Sequence, residues 1–477
     1  MLKNNLAGLR WIAIILVLSL GLSRTTLAQI PATEKKTLTL EEAVDYALKN
    51  YPAVRVALER VAAAQAGVGL ARTSYLPKAD VVWQINRATD NNITGLLLPQ
   101  SVIAPISGPV PLSTSNQSAW GSAAGLLFSW EPLDFGYRGA RVSAARTARD
   151  QAAAEASLTR LDVAVATVNA YLAVLAARRT MRAAEADVQR RETFDKAVRV
   201  LVDNQLRAGA DGSRADAQLA RARVNLARAQ QQENISRAAL ANILGLSDTS
   251  VEVYEGSLLG PPPSNEPSQT ASVTNHPSAE VEHARVEEAH AQVHILDRSY
   301  YPKFYLQSSV YGRGSGWDPA GKFEGGTAGL GPDRSNWAVG STITFPVFDI
   351  FAIRSRKAIE SANELAEAAR YDQTLQDLTG QLRQAQASLE GARHVAENTP
   401  VELDAARATE SQERSRYQAG LATLVDVADA QSLLVQAETD NALAWLAVWQ
   451  NLASVAASQG DLQPFLQALR RKTQGGP

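Results

Sequence analysis

Four stretches of this chain alternate between apolar side chains and small or polar ones. Around residues 119–131 one face is mostly apolar and aromatic, with Trp120, Ser122, Ala124, Leu126, Phe128 and Trp130, and the other is small or polar, with Gly121, Ala123, Gly125 and Ser129. Similar alternation runs through about 79–89 and 336–347, and less regularly through 303–313. Because successive side chains of a strand point to opposite faces, this period predicts four β-strands.

The length and aromatic content of these stretches favour strands that cross a membrane. Each is about 10 residues long, the length of a strand in a lipid-facing barrel. Five of the eight tryptophans, at positions 83, 120, 130, 317 and 337, lie in or beside them. We expect Trp83, Trp120, Trp130 and Trp337 to lie at the membrane–water interface. A soluble sandwich is the alternative, but its core would need more than four strands.

Two Ala-rich runs, at about 137–207 and 352–418, repeat apolar residues at steps of three and four. These are Leu158, Leu161, Val165, Val168, Leu172 and Leu175 in the first run, and Leu375, Leu378, Leu382, Ala385, Leu389 and Ala392 in the second. The spacing predicts long coiled-coil helices, the second interrupted and bent at Pro400. Shorter helices are predicted at about 52–75, 213–245, 277–300 and 423–459.

The same order of elements occurs twice. Pro52 and Pro77, like Pro277 and Pro302, are 25 residues apart and follow similar short motifs. Such self-similarity indicates an internal duplication. The predicted organisation is a first repeat at 29–255, a Pro-rich linker at 256–267, a second repeat at 268–462 and a C-terminal tail at 463–477.

Four strands in lipid cannot satisfy their own edges. Each unpaired backbone group there costs several kcal/mol, so other copies must complete the sheet. Three chains would give about 12 strands, an even number found in membrane barrels. Each long helix would be about 100 Å long, nearly matched by two shorter helices stacked end to end. We therefore expect a mainly α fold with β: a tall helical tunnel beneath a trimeric 12-stranded barrel.

Composition narrows the setting and the function. Residues 1–28 carry Lys3 and Arg10, then an apolar run and Thr26-Leu27-Ala28, the order of a secretory signal. A membrane anchor is the alternative, but the apolar run is too short to span a bilayer. With no cysteine, and with 47 basic against 49 acidic residues, neither thiolate chemistry nor nucleic-acid binding is indicated. No nucleophile–base constellation points to an enzyme, and no cofactor is implied.

Two glycines follow the long helices and mark their turns. Gly209 and Gly420 would supply the left-handed conformation that ends a helix. Asp426 and Asp429 lie three residues apart on the next helix and share a face. In a threefold assembly they would form rings of carboxylates that attract cations. Alternatively, they merely favour the positive end of a helix dipole.

The segment from Tyr417 to Ala430 resembles the second helix-to-helix turn of the TolC-type outer membrane factor family, and the resemblance covers essentially the whole mature chain. It implies a passive trimeric duct in the bacterial outer membrane with a periplasmic helical domain. Such a duct serves tripartite efflux or type I secretion and docks, through its tips near Gly209 and Gly420, with a periplasmic adaptor and an inner-membrane pump. The residues that match the family's closing network are Asp216, Arg221 and Tyr417. Ala422 stands where some members have arginine, which implies a weaker or different latch.

Other features carry less weight. His283, Glu287, His290 and His294 share a helix face that would suit a transition metal or, more simply, solvent. A metal-export duct is thus one alternative function. A periplasmic coiled-coil scaffold or adaptor is another, although it should have one helical hairpin rather than two. Gly312, Gly314 and Gly316, and the Pro-rich stretch 90–118, are interpreted as loops of the barrel. The exported cargo is not encoded in any of these patterns.

Overall fold

A computed structural model describes residues 37–89, 117–246, 251–262, 273–316 and 322–474. The predicted signal sequence, nearly all of the Pro-rich stretch 90–118, Trp317 and much of the linker lie outside these residues. The elements are β1 (Thr37–Leu38), α1 (Leu40–Asn50), α2 (Pro52–Thr73), β2 (Lys78–Thr89), β3 (Ser118–Leu133), α3 (Tyr137–Asp203), α4 (Gly209–Ile243), β4 (Glu252–Val253), α5 (Pro277–Arg298), β5 (Lys303–Ser315), β6 (Arg334–Thr344), α6 (Asp349–Gln418), α7 (Leu424–Ser458) and α8 (Gln463–Gln474).

The four long strands form one antiparallel sheet in the order β2-β3-β5-β6. The central β3–β5 pair joins the two halves of the chain. One face of the sheet is apolar and open, with Val81, Trp83 and Trp337 each more than 70% exposed. On the other side, Gln307 and Ser309 of β5 are buried. The outer edges of β2 and β6 have no partner strand among the described residues.

The helices pack as two long hairpins. α3 packs against α4 below and α2 above, and α6 likewise packs against α7 and α5. With 67 and 70 residues, α3 and α6 are each about 100 Å long. The predicted seams lie in these contacts: Val168, Leu172, Leu175, Leu378, Ala385 and Leu389 are buried. By length and composition, an apolar window of α3 would suit a membrane span, but half of this window is buried within the chain.

The predicted interruption at Pro400 is wrong. α6 continues through this residue as one helix. Pro400 is exposed, so its ring needs no space in a packed interface. An interior proline removes one backbone hydrogen bond and costs about 3 kcal/mol, but the packing of α6 against α5 and α7 keeps the helix continuous.

A belt around the middle of the bundle was not predicted. α1 begins with a capping box between Thr39 and Glu42, and α8 replaces the expected C-terminal tail. Arg470 of α8 donates to Glu41 of α1 at 2.8 Å. Strands β1 and β4 pair in parallel beside them. The belt shares a hydrophobic core with α3 and α7. The largest buried side chains of this core include Tyr171, Leu240, Leu244, Trp449 and Phe465.

Tyr171 ties the belt to α3 and yields a stability prediction. Its hydroxyl, fully buried, lies 2.9 Å from the Leu38 carbonyl and 2.7 Å from that of Tyr254. Tyr171→Phe leaves a buried acceptor without its donor and should lower the free energy of unfolding by about 1–3 kcal/mol. Urea unfolding in detergent measures this. Tyr254→Phe, altering an exposed side chain, is the control; equal effects of both variants would contradict the assignment.

Candidate functional site

The turns that end the two long hairpins lie together. The α3–α4 turn and the α6–α7 turn share a small apolar core of Val198, Ala215, Tyr417, Leu424 and Val427. Higher up, Arg190 of α3 makes a two-pronged ion pair with Glu438 of α7, at 3.1 and 2.8 Å. Hydrophobic packing and a charged pair therefore join the tips of one chain into a single unit.

The two turns are built alike, but not from the residues that the sequence pairs. Gly420 has the predicted left-handed φ of 80°. After it, the Leu421 N–H bonds to the carbonyl of Arg416 at 2.8 Å. In the first turn the left-handed residue is Gln205, with φ 59°, and Leu206 makes the matching bond to Leu201.

Gly209 therefore does not end α3, and the prediction that it supplies the left-handed conformation is wrong. It is the first residue of α4 instead. The sequence pairs Ala208-Gly209 with Ala419-Gly420, but the two glycines do not have the same position in their turns. The residue that ends a helix is defined by backbone geometry and not by residue type alone.

The side chain of Asp426 is exposed and also stabilises the start of α7. It forms a capping box with Thr423 at the start of α7, accepting from the Thr423 backbone N–H and hydroxyl, both at 2.8 Å. The backbone bond, then the hydroxyl bond, hold the pKa of Asp426 below its ordinary value. Asp429 lies one turn further along and is also exposed. The helix-terminus interpretation thus holds for Asp426 without excluding a second role.

The three residues matched to the family's closing network have different surroundings within this chain. Asp216 forms an ion pair with Arg199 of α3, which also binds Asp195 at 3.0 Å. Arg221 is exposed on α4. Tyr417 is 1% exposed, and its hydroxyl is 3.5 Å from Asp211 rather than Asp216.

Tyr417 lies at the centre of the shared tip core. Its ring is 5.5 Å from that of Phe194, and the Arg207 guanidinium stacks over it at 4.4 Å. Burial, and next the negative charge of Asp211, raise the pKa of Tyr417. Sequence reasoning missed Phe194, Arg207 and Asp211. Arg207 stood beside the predicted turn, but no spacing rule connects it to a residue 210 positions away.

The histidine face is not gathered into a metal site. His290 bonds to Glu364 at 2.8 Å, and His283 packs edge-on against Tyr371. No group of three metal-binding side chains occurs in the described part of the chain. The buried His276 instead caps α5: its Nδ1 accepts from Ser278 N–H and its Nε2 lies 3.1 Å from the Ala457 carbonyl. Burial lowers the pKa of His276, which favours the neutral ring.

The four tryptophans predicted to lie at the membrane interface differ in their surroundings. Trp83 and Trp337 are 74% and 78% exposed on the apolar face of the sheet. Trp130 donates from its indole nitrogen to the Tyr75 carbonyl at 3.0 Å, where β3 approaches the helices. Arg87 lies 5.3 Å from the ring of Trp120. All four are therefore placed on the sheet, two fully open and two anchored by polar neighbours.

The chain is similar to known proteins over most of its length. The profile of a family described as outer membrane efflux protein matches residues 43–246 and 271–461. Protein CyaE of Bordetella pertussis is 27% identical over 442 residues, covering 91% of this chain and 86% of CyaE.

Two solved channels illustrate the shared fold. The CmeC outer membrane channel of Campylobacter jejuni superposes with a TM-score of 0.73 at 17% identity, covering 91% of this chain and 89% of CmeC. The open state of the MtrE outer membrane channel of Neisseria gonorrhoeae gives 0.68 at 19% identity, covering 88% and 89%. At such identities the likeness is one of fold.

The two glycines provide a matched test of the tip geometry. Gly420→Ala places a Cβ at φ 80°, which should destabilise the tip by about 1–2 kcal/mol. Gly209→Ala lies at a helix start with nothing within 4 Å of the new Cβ, and should be neutral or stabilise by about 0.4–1 kcal/mol. Thermal unfolding and limited proteolysis of the tips measure both. Equal destabilisation by the two substitutions would contradict the structure.

Proposed function

The chain belongs to the outer membrane efflux protein family, and on that premise we propose that it is the outer membrane duct of a tripartite efflux or type I secretion system. The observation that carries this proposal is the sheet. Among the described residues, a four-stranded sheet with an exposed apolar face and no partner strand at either edge leads directly into helices about 100 Å long. Such a chain suits a wall segment of a channel that crosses lipid and reaches into the periplasm.

Three copies closing into one barrel would resolve the open edges. In lipid, the edge of β2 in one chain needs the backbone groups of β6 in the next. Apolar side chains that face solvent in the single chain extend this contact down the helices: Val56, Leu58 and Leu70 on α2, and Ile359, Leu365, Val395 and Val401 on α6 are all at least half exposed. A threefold, internally duplicated tube gives each of these faces a neighbour.

The tips are the proposed entrance. We assign docking of a periplasmic adaptor and inner-membrane pump to the turns near Gly209 and Gly420, at the end of the hairpins opposite the sheet. The duct itself would be passive, with the pump supplying energy and choosing cargo. MtrE, which shares the fold, is described in an open state, and we propose that the entrance of this chain also opens.

Asp426 and Asp429 are proposed to form acidic rings at this entrance. Both are exposed at the beginning of α7, so threefold symmetry would repeat each around the axis. Carboxylate rings attract cations and repel anions at a constriction. Capping and ring formation are compatible, because a carboxylate that accepts from Thr423 keeps its negative charge. Asp216, Arg221 and Tyr417 are proposed to act in closing the same entrance.

The alternatives receive less support. A periplasmic scaffold would not need the exposed apolar sheet face, and the chain has two hairpins rather than one. A metal-export duct rested on His283, Glu287, His290 and His294, of which His283 and His290 contact neighbouring side chains on α6. The proposed duct is therefore the function that accounts for both the exposed apolar sheet and the long helices.

Two measurements test the duct. The protein should remain in the membrane fraction after carbonate extraction, and purified protein should be a trimer in detergent that conducts ions in a planar lipid bilayer. Release by carbonate, or folded monomers without conductance, would reject the proposal in favour of a scaffold.

The acidic rings predict a charge-dependent selectivity. The double variant Asp426→Asn with Asp429→Asn should move the cation-to-anion permeability ratio toward unity, because it removes both rings while the amide oxygen of an asparagine at position 426 can still accept from the Thr423 N–H. Reversal potentials in a KCl gradient measure the ratio. Asp404→Asn, on the exposed surface of α6 well above the tips, is the control. Wild-type selectivity in the double variant would remove the rings from the proposal.

The depressed pKa of Asp426 adds a pH dependence. In Asp429→Asn protein, cation preference should persist as the pH falls below the ordinary aspartate range. It should disappear only when the pH passes the lowered pKa. Adding Thr423→Ala removes the hydroxyl donor and should shift this loss to higher pH. Reversal potentials measured across a pH series would show no shift if the capping bond does not stabilise the charge.

A further inference from the structure

The entrance residues leave one strong contact between the two hairpins unexplained. Arg207 lies in the turn between α3 and α4, yet its guanidinium stacks at 4.4 Å over the ring of Tyr417, which belongs to α6. The same guanidinium donates from Nη2 to the Tyr417 carbonyl at 2.6 Å. One side chain thus holds both the ring and the backbone of a residue on the other hairpin.

The position of this contact makes it effective. Tyr417 is in the last turn of α6, where the helix dipole is negative, and its carbonyl accepts from the Gly420 N–H at 3.0 Å as well as from Arg207. A cation there gains a charge-assisted hydrogen bond and a cation–π contact at once. The ring is buried against Phe194 and the tip core, so water competes weakly for it.

The residue at position 422 of the second turn complements Arg207 of the first turn. The resemblance leads one to expect an arginine there in some members, reaching out from the second turn. In this chain Ala422 packs against the shared tip core instead. The second turn therefore provides packing at this position, and the first turn provides the arginine.

We propose that Arg207 is the positioning residue that clasps the two hairpin tips of each chain together and so holds the entrance in its narrow state. This inference rests on the proposed duct function and specifies its regulation. While the clasp is made, α3–α4 and α6–α7 move as one body. Its release lets the α6–α7 tip move independently, and a docked partner would widen the entrance by competing for Arg207 or displacing Tyr417.

Substitution of Arg207 tests the clasp in bilayers. Arg207→Ala should raise the open probability of the resting channel by about tenfold or more, because both contacts are lost. Arg207→Lys should give an intermediate effect, since an ammonium keeps the charge but not the planar stack. Arg214→Ala removes an equal charge from the exposed start of α4 and should leave conductance unchanged.

A double-mutant cycle assigns the effect to the contact. Tyr417→Leu should also raise open probability, and combining it with Arg207→Ala should add little to the larger single effect. Fully additive effects would overturn the assignment. Because Tyr417→Leu alters a core position, the Arg207→Lys and Arg207→Ala pair stands as an independent test if that variant does not fold.

Spin-label distances give a readout that does not depend on conductance. The chain has no cysteine, so Ser213→Cys and Gln418→Cys, both exposed, can be labelled specifically in trimers diluted with unlabelled protein. Arg207→Ala should broaden and lengthen the distance between the two labels, and Arg214→Ala should not. Unchanged distances and wild-type conductance in Arg207→Ala channels would overturn the clasp while leaving the duct intact. A wild-type protein that forms no pore would instead reject the duct.

Discussion

Unpaired backbone at the two edges of the sheet is the constraint on which the rest of this protein depends. Within the described residues, β2 and β6 each present a row of N–H and C=O groups without a partner strand, and the apolar face between them is the one proposed to lie in lipid. In water such edges invite aggregation, and in lipid they are too costly to leave open. The proposed threefold closure follows from this requirement. It also explains how a sheet of only four long strands in the described part of the chain could form a wall.

The helices meet a different constraint, which is to keep slender walls rigid over a great length. Alanine at many seam positions lets neighbouring helices approach closely, and the large side chains are concentrated in the central belt around Tyr171 and Trp449. Toward the tips the hydrophobic clusters are smaller than in the belt, and charged pairs also join the helices. Arg191 and Asp187 are buried together there, with Gln218 of α4 bound to the same arginine. A buried pair of this kind adds little net stability, but moving one partner away would leave the other charge buried and uncompensated.

The two halves of the chain are similar in outline and different in detail. Arg138 is buried beside Asp134 where the first strand pair enters its helix, donating to that carboxylate and to the Ser74 carbonyl. The matching place after the second strand pair has Ile353. The tips differ in the same way, with Gln205 in the conformation that Gly420 adopts in the other turn. Such differences let one half specialise, and the proposed clasp uses an arginine from one tip and a tyrosine from the other.

The spacing of apolar residues by itself determined which long segments are strands and which are helices. Alternation around Trp83 and Trp337 marks strands, and the three-and-four spacing from Val168 to Leu175 marks a helix, because these patterns record which faces are apolar. Short amphipathic pieces such as α1 and α8 were missed, since a single capping box or a few apolar residues carry little periodic signal. Only the structure decided that Gln205, rather than Gly209, adopts the left-handed conformation after α3, and that Arg207 reaches Tyr417. The first was missed because residue types alone do not fix which residue of a turn adopts that conformation. The second was missed because the contact depends on where two distant turns meet in space, about which local physical chemistry contains no information.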